Sequence, residues 1–208
     1  NASGSVNVGE EYSIATWNLG FGAYSDDYSF FMDGGTESRA RSKEAVIKNI
    51  SGMIDRLKTL NPDFMLLQEL DTDATRSHHV NEREMAEKAF PEMSAAFAVN
   101  YHSAYLFYPF LEPHGASDAG ILTLADCEIE SAIRRSLPVE TGLTKFLDLD
   151  RCYSVSRIPV SNGKTLCLYN LHLSAYTSDG TIANDQLEML IADMQAEYEA
   201  GNYVVGGG

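Results

Sequence analysis

Polar side chains stand at the ends of three otherwise apolar, strand-like segments of this chain of 208 residues. Asn18 follows Ala-Thr-Trp, Glu69 follows Leu-Leu-Gln, and Asn170 and His172 alternate in Tyr-Asn-Leu-His-Leu. Because successive side chains of a strand point to opposite faces, Asn170 and His172 are predicted to share one face. A carboxylate at the end of a buried strand is costly unless it is paired or binds a cation.

These residue types suit the hydrolysis of a phosphoester. Mg²⁺ prefers oxygen ligands, often one or two carboxylates completed by substrate phosphate and water. Glu69 fits as its carboxylate ligand, and Asn18 fits as a neutral oxygen partner. Asn170 and His172 could position a phosphate oxygen and stabilise the charge that develops on it. Each residue alone also has an ordinary interpretation: a surface glutamate, a turn-forming asparagine or a hydrogen-bonded core histidine.

Hydrophobic periodicity predicts the elements that must position these side chains. Amphipathic helices are predicted at 39–60, 81–90 and 185–200, and polar or glycine-rich loops at 21–37 and 72–80. Strands are predicted at 12–19, 63–70, 95–101, 105–108, 120–124, 129–137, 151–160, 165–173 and 202–205. Strands outnumber helices, and long helices separate some of them, which indicates a layered α/β sandwich with mixed sheets.

The order of these motifs resembles the endonuclease/exonuclease/phosphatase superfamily, which has the DNase I-like fold. Five features follow one another between residues 12 and 208. They are Thr-Trp-Asn-Leu-Gly, a long helix, Pro-Asp with four apolar residues and Gln-Glu, Gly-Ile-Leu-Thr, and Tyr-Asn-Leu-His-Leu. The resemblance implies an α/β fold, a four-layer α/β/β/α sandwich spanning 12–208, preceded by a polar leader at 1–11. It also implies hydrolysis of a phosphoester with Mg²⁺, or alternatively Mn²⁺, as cofactor.

The resemblance further implies roles for single residues. Glu69 matches the metal-binding glutamate of the family, and Asn18 matches the asparagine beside it. His172 matches the histidine that hydrogen-bonds the scissile phosphate, with Asn170 as its neighbour on the strand.

Two further matches are looser. Arg151 resembles a phosphate-contacting arginine, although an ion pair with Asp148 or Asp150 is an equal alternative. Tyr101 could be the tyrosine that faces the phosphate, and core packing is its alternative.

The end of the chain departs from the family pattern. In the family the last strand leads into Gly-Asp-x-Asn, and a later Ser-Asp-His supplies the catalytic histidine, whereas this chain ends in three glycines. We therefore expect a domain that lacks its C-terminal part and has little activity alone. The alternatives are a non-catalytic ligand-binding module on the same fold and a fragment that folds only with its complement.

Charge and composition limit the partners. The chain carries 15 basic and 30 acidic side chains, a formal net charge of −15. Long duplex DNA is therefore a disfavoured substrate, because phosphate neutralisation supplies most non-specific affinity for it. A small molecule, a lipid head group or another nucleic acid remains open as the phosphoester, and no obligate protein partner is indicated.

Similar bacterial proteins often carry an N-terminal anchor, so an extracytoplasmic location behind a removed anchor is an expectation from the resemblance alone.

Overall fold

The structure, a computed structural model, describes residues 2–139, 151–174 and 180–208. These residues form eight strands and three α-helices. Their bounds are β1 (Ile14–Asn18), α1 (Lys43–Leu60), β2 (Phe64–Ala74), α2 (Glu82–Ala89), β3 (Ser94–Leu106), β4 (Gly115–Ala125), β5 (Ser131–Ser136), β6 (Cys152–Pro159), β7 (Thr165–His172), α3 (Thr181–Glu199) and β8 (Tyr203–Gly207). No helix among them combines the length and apolarity needed to cross a bilayer.

The described strands make two four-stranded sheets that pack face to face. One has the order β1-β2-β4-β3 and the other β5-β6-β7-β8, and in each the pairing of one edge strand is parallel: β1 with β2, and β8 with β7. Phe64 and Leu66 of β2 pack against Ile158 of β6 and Leu168 of β7 between the sheets. Helices α1 and α2 cover the outer face of the first sheet, and α3 covers that of the second. The predicted four-layer α/β/β/α arrangement is confirmed.

The first helix begins at Lys43, later than the predicted start at Arg39. Ser42 caps it, because its side chain accepts a hydrogen bond from a main-chain N–H of the first turn at 3.0 Å. Arg41 lies outside the helix and pairs with Asp27 at 2.7 Å. Periodicity alone overextended the helix because the basic residues before the cap are compatible with a helical pattern.

Several strands end at residues other than those predicted, because of their pairing in the sheet. The segment 72–80, predicted as a loop, contributes its first three residues to β2, which ends at Ala74. Asp73 pairs there with Asp118, and Ala74 pairs with Ser117, so the ladder with β4 overrides the polar composition. The same extended partner joins the two strands predicted at 95–101 and 105–108 into one strand, β3.

The polar leader lies along the second sheet. The main-chain N–H of Val6 donates to the carbonyl of Pro159 at 2.9 Å, and Val6 accepts from Ser161 at 2.8 Å. Tyr12 packs against the cluster between the sheets. The domain boundary drawn between residues 11 and 12 stays a prediction.

Two β-bulges interrupt the first sheet at the same level. The pairing of β2 with β4 passes from Leu67–Leu122 to Leu70–Gly120, so β2 holds one extra residue. The pairing of β3 with β4 passes from Val99–Gly120 to Tyr101–Ala119, so β3 also holds one extra residue there. Both bulges therefore flank Gly120, the residue that opens the Gly-Ile-Leu-Thr motif.

Gly120 is a glycine because no side chain fits at this position. A Cβ atom there would lie 2.3 Å from the carbonyl oxygen of Ala98 and 2.4 Å from a ring carbon of Phe97. Its backbone is not in the left-handed region, so close packing and not conformational freedom selects glycine.

We predict that Gly120→Ala lowers the free energy of unfolding by about 1–3 kcal/mol, the usual cost of overpacking a core. Urea denaturation measures this change. Gly52→Ala in α1 is the matched control, because nothing lies within 4 Å of the added Cβ. A glycine in a helix interior is unfavourable relative to alanine, so the control should gain stability. Equal stability of the two variants would contradict the packing argument.

A buried histidine lies beside the segment that joins β3 to β4. His114 is 0 % exposed, and its ring centroid lies 6.0 Å from that of Phe30 and 5.7 Å from that of Phe31. Its Nδ1 lies 3.0 Å from the carbonyl oxygen of Ser38, so Nδ1 carries the proton and donates. Burial, together with the positive charge of Arg76, lowers the pKa of His114 from 6.5 to about 4.

This lowered pKa predicts acid sensitivity. Above pH 6.5 His114 is neutral in both the folded and the unfolded chain; below it only the unfolded chain takes up a proton until the pH reaches about 4. Stability should therefore fall between pH 6.5 and 4, by on the order of 3 kcal/mol for this group. Urea denaturation of His114→Gln should show a smaller loss over that window, whereas His79→Gln, at a side chain 65 % exposed, should follow the wild type.

Candidate active site

Glu69 lies at the bulge of β2, in a group of polar side chains beside the ends of β1 and β7. Asn18 Nδ2 donates to Glu69 Oε1 at 3.0 Å, and His172 Nε2 lies 3.3 Å from the same oxygen. Asn18 Oδ1 in turn accepts from the main-chain N–H of Gly20 at 2.9 Å, which fixes the orientation of the amide. The structure thus brings together three of the residues selected from the sequence.

The bulge in β2 makes this position of Glu69 available. Strict alternation would place Glu69 on the face of Met65 and Leu67, which packs beneath α1. Glu69 instead adopts φ 55°, in the left-handed region, and Leu70 fills the core in its place. That conformation costs on the order of 1 kcal/mol for a residue with a Cβ, and the hydrogen bonds from Asn18 and His172 offset it.

Glu69 is ionised at neutral pH. Burial by itself would raise the pKa of its carboxyl group, but the hydrogen bonds from His172 and Asn18 and the charge of Arg76 lower that pKa to about 2. Burial also lowers the pKa of His172, and the positive charge of Arg151 acts in the same direction, so the imidazole is neutral at pH 7.

The neighbours of His172 assign its tautomer. Nε2 faces the Glu69 carboxylate and therefore carries the proton. Nδ1 is then the acceptor and faces two donors, Asn100 Nδ2 and Arg151 Nη1. Arg151 Nη1 lies 2.9 Å from Nδ1 and 3.1 Å from Nε2. Asn100 is the extra residue of the β3 bulge, and sequence reasoning missed it because periodicity shows no bulge.

A second arginine enters the same cleft and was also missed. Arg76 is 7 % exposed and donates from Nε and Nη2 to the two oxygens of Asp71, at 2.9 and 2.7 Å. Its guanidinium lies 4.1 Å above the Phe21 ring. Asp71, two residues after Glu69, could have indicated a buried ion pair. Its partner Arg76 was overlooked because the segment 72–80 was predicted to be a polar loop.

Behind this ion pair lies a buried carboxyl group. Glu82 Oε1 accepts from the main-chain N–H of Asp71 at 3.1 Å. Burial, reinforced by the negative charge of Asp71, raises the pKa of Glu82 well above its ordinary value. Asp71 is the carboxylate that holds Arg76 directly, and the guanidinium lines the cleft.

Arg151 and Tyr101 both line the cleft, and their contact with a phosphate stays a prediction. Arg151 directly precedes β6 and is 8 % exposed, with its guanidinium against His172. The ring of Tyr101 lies 5.5 Å from the guanidinium of Arg76. Asp148 and Asp150, the alternative partners of Arg151, lie outside the described residues. The remaining wall is mainly apolar and comprises Phe21, Tyr24, Phe30, Met32 and Ala119.

Asn170 does not reach the cleft. It is 0 % exposed, its Nδ2 donates to the carbonyl of Leu122 at 3.0 Å, and its Oδ1 accepts from Gln68 Nε2 at 2.8 Å. Its amide therefore ties β7 to β2 and β4 between the two sheets. The expected contact between Asn170 and a phosphate does not fit this placement, and the side chain instead positions the strand that carries His172.

The residues present fit a sparse magnesium site. Among the described residues no three or more His, Cys, Asp or Glu side chains form a group that could hold a metal ion. In that same part of the chain both polar contacts of Glu69 go to Oε1, so Oε2 is available to an ion. Mg²⁺ commonly takes one or two protein carboxylates and completes its shell with water and phosphate.

Comparison with known proteins gives a structural likeness only. No protein-family model matches the sequence, and no curated protein is significantly similar to it. An endonuclease/exonuclease/phosphatase from Beutenbergia cavernae DSM 12333 superposes with a TM-score of 0.58 at 14 % identity, over 87 % of this chain and 43 % of its own. ANGEL2, a 2′,3′-cyclic phosphatase, superposes with a TM-score of 0.57 at 16 % identity, over 89 % of this chain and 47 % of its own.

The human Nocturnin catalytic domain, solved with a bound sulfate anion, gives a TM-score of 0.53 at 14 % identity, over 77 % of this chain and 56 % of that one. The chain thus spans about half the length of these structures. At such identities the likeness establishes architecture, and the chain has the DNase I-like fold of the endonuclease/exonuclease/phosphatase proteins.

Proposed function

We propose that this chain forms the phosphate- and metal-binding part of a metal-dependent phosphoesterase. The observation that carries the proposal is the meeting of one ionised carboxylate and two arginines in a single cleft. Glu69 supplies the negative charge, and Arg76 and Arg151 supply the positive charge. This pairing suits a cation and a phosphate bound side by side.

The two arginines distinguish the cleft from the rest of the molecule. The chain as a whole has a net charge of −15, so its overall field repels a phosphate. Guanidinium groups present fixed, planar donors that match phosphate oxygens. Local positive charge inside an acidic protein favours a compact phosphoester over a long duplex, which needs an extended basic face.

Glu69 and Asn18 are the residues that would hold Mg²⁺ or Mn²⁺, and when bound the ion polarises a phosphoryl oxygen. The Nε2–H of His172, which faces Glu69 Oε1 in the absence of a ligand, is the donor that would turn to a phosphate oxygen. Asn100 and Arg151 hold that tautomer by occupying Nδ1. ANGEL2, with the same fold, is a 2′,3′-cyclic phosphatase, and this supports a phosphoester as the substrate class.

We predict that Glu69→Gln weakens Mn²⁺ binding at least tenfold, because the variant keeps the size of the side chain and removes its charge. Electron paramagnetic resonance of free Mn²⁺ measures the affinity. Glu44→Gln, at an exposed residue of α1, is the matched control and should bind like the wild type. Unchanged Mn²⁺ affinity in Glu69→Gln would remove Glu69 from the proposed site.

We also predict that Arg151→Met weakens binding of dimethyl phosphate at least tenfold, because the guanidinium in the cleft is lost. Phosphorus NMR titration measures this affinity, and Arg56→Met, on the exposed surface of α1, controls for net charge. Equal weakening in both variants would show that only overall charge matters. Phosphate binding in a chain that binds no Mn²⁺ would favour a non-catalytic module instead.

A further inference from the structure

The segment 105–111, here called the aromatic loop, comprises the last two residues of β3 and the first five after it, and it exposes five large apolar side chains. Their exposed fractions are 44 % for Tyr105, 70 % for Phe107, 56 % for Tyr108, 85 % for Phe110 and 103 % for Leu111. No charged residue occurs from 103 to 111. Contiguous apolar exposure of this kind is uncommon on a soluble protein and marks an interaction site.

The base of the aromatic loop is fixed, so its tip projects from the body of the protein. Ser38 Oγ donates to the carbonyl of Glu112, and Arg39 Nε donates to the carbonyl of Pro113. His114 donates from Nδ1 to the carbonyl of Ser38 at 3.0 Å. The exposed tip, Phe110 and Leu111, directly precedes these anchored residues.

The aromatic loop continues the apolar wall of the cleft. The Tyr108 ring centroid lies 6.1 Å from that of Phe31, and Phe31 lies 5.0 Å from Phe30. Phe30 and Met32 line the cleft that holds Glu69. A surface that receives the loop therefore lies close to the mouth of the cleft.

We propose that the aromatic loop docks the protein on a lipid surface rich in zwitterionic phospholipids. A protruding tip of phenylalanine and leucine can enter a deformable interface, and tyrosines are favoured at the level of the head groups. The net charge of −15 opposes approach to an anionic membrane, so the apolar tip must supply the affinity. Docking would bring the cleft to the phosphates of the lipid head groups. The assignment of a lipid phosphoester as substrate class rests on the proposed function, whereas the docking itself does not.

Co-sedimentation of the chain with sucrose-loaded phosphatidylcholine vesicles tests the docking. We expect the wild type to bind and the double variant Phe110→Ser/Leu111→Ser to lose at least tenfold in partition coefficient. The matched control is Ile191→Ser/Tyr198→Ser, which removes apolar groups of α3 that are 54 % and 70 % exposed. It should bind like the wild type. Circular dichroism verifies that both double variants are folded, as expected for changes at exposed positions.

Three outcomes would overturn the proposal: no binding of the wild type, equal losses in both double variants, or binding that requires phosphatidylserine. Self-association seen in ultracentrifugation, abolished by Phe110→Ser/Leu111→Ser and without vesicle binding, would identify a second copy of the chain as the partner instead. Vesicle binding needs no turnover. Vesicle binding by a chain that binds neither Mn²⁺ nor dimethyl phosphate would thus keep the docking and reject the proposed function, whereas binding of both small ligands without vesicle binding would do the reverse.

Discussion

The candidate site depends on two β-bulges that lie beside Gly120 of β4. Strand β3 approaches this glycine so closely that no Cβ fits there, and β2 and β3 each carry one extra residue next to it. One bulge turns Glu69 out of the helix-covered face, and the other adds Asn100 next to His172. The positions of a carboxylate and of a group that contacts a histidine therefore follow from these two bulges.

Electrostatic interactions stabilise the side chains that the bulges bring to the cleft. Taking Glu69, Arg76 and Asp71 partly or wholly out of water is costly, and each charge is offset by a partner of opposite sign or by hydrogen bonds. Glu82, whose pKa is raised by burial and by the charge of Asp71, accepts a hydrogen bond from the main-chain N–H of Asp71. The result is a cleft with separate negative and positive parts inside an acidic protein, the arrangement on which the phosphoesterase proposal is based.

The second sheet contributes through one strand. The side chain of Asn170 forms hydrogen bonds to the first sheet and thereby fixes β7. His172, two residues later on the same face, then lies at the cleft. Its neutral imidazole is then held by the groups on both sides. On the far side of the cleft, the aromatic loop and the residues 30–32 form one continuous apolar wall. A polar floor and an apolar rim therefore sit together, which suits a ligand with a phosphate at one end.

The sequence by itself determined the layers, because the spacing of apolar residues reports which faces of helices and strands are buried. It also selected Glu69, Asn18 and His172 as candidates, since polar groups at strand ends are exceptions that a core does not tolerate without a reason, whereas Arg151 and Tyr101 were selected by the family resemblance. Only the tertiary structure decided that Asn170 is buried, that the segment 72–80 begins as strand, and that Arg76 and Asn100 belong to the cleft. These features depend on partners that are distant in sequence: the neighbouring strand at a bulge or extended ladder, and the opposite charge in an ion pair. Local periodicity cannot predict such partners.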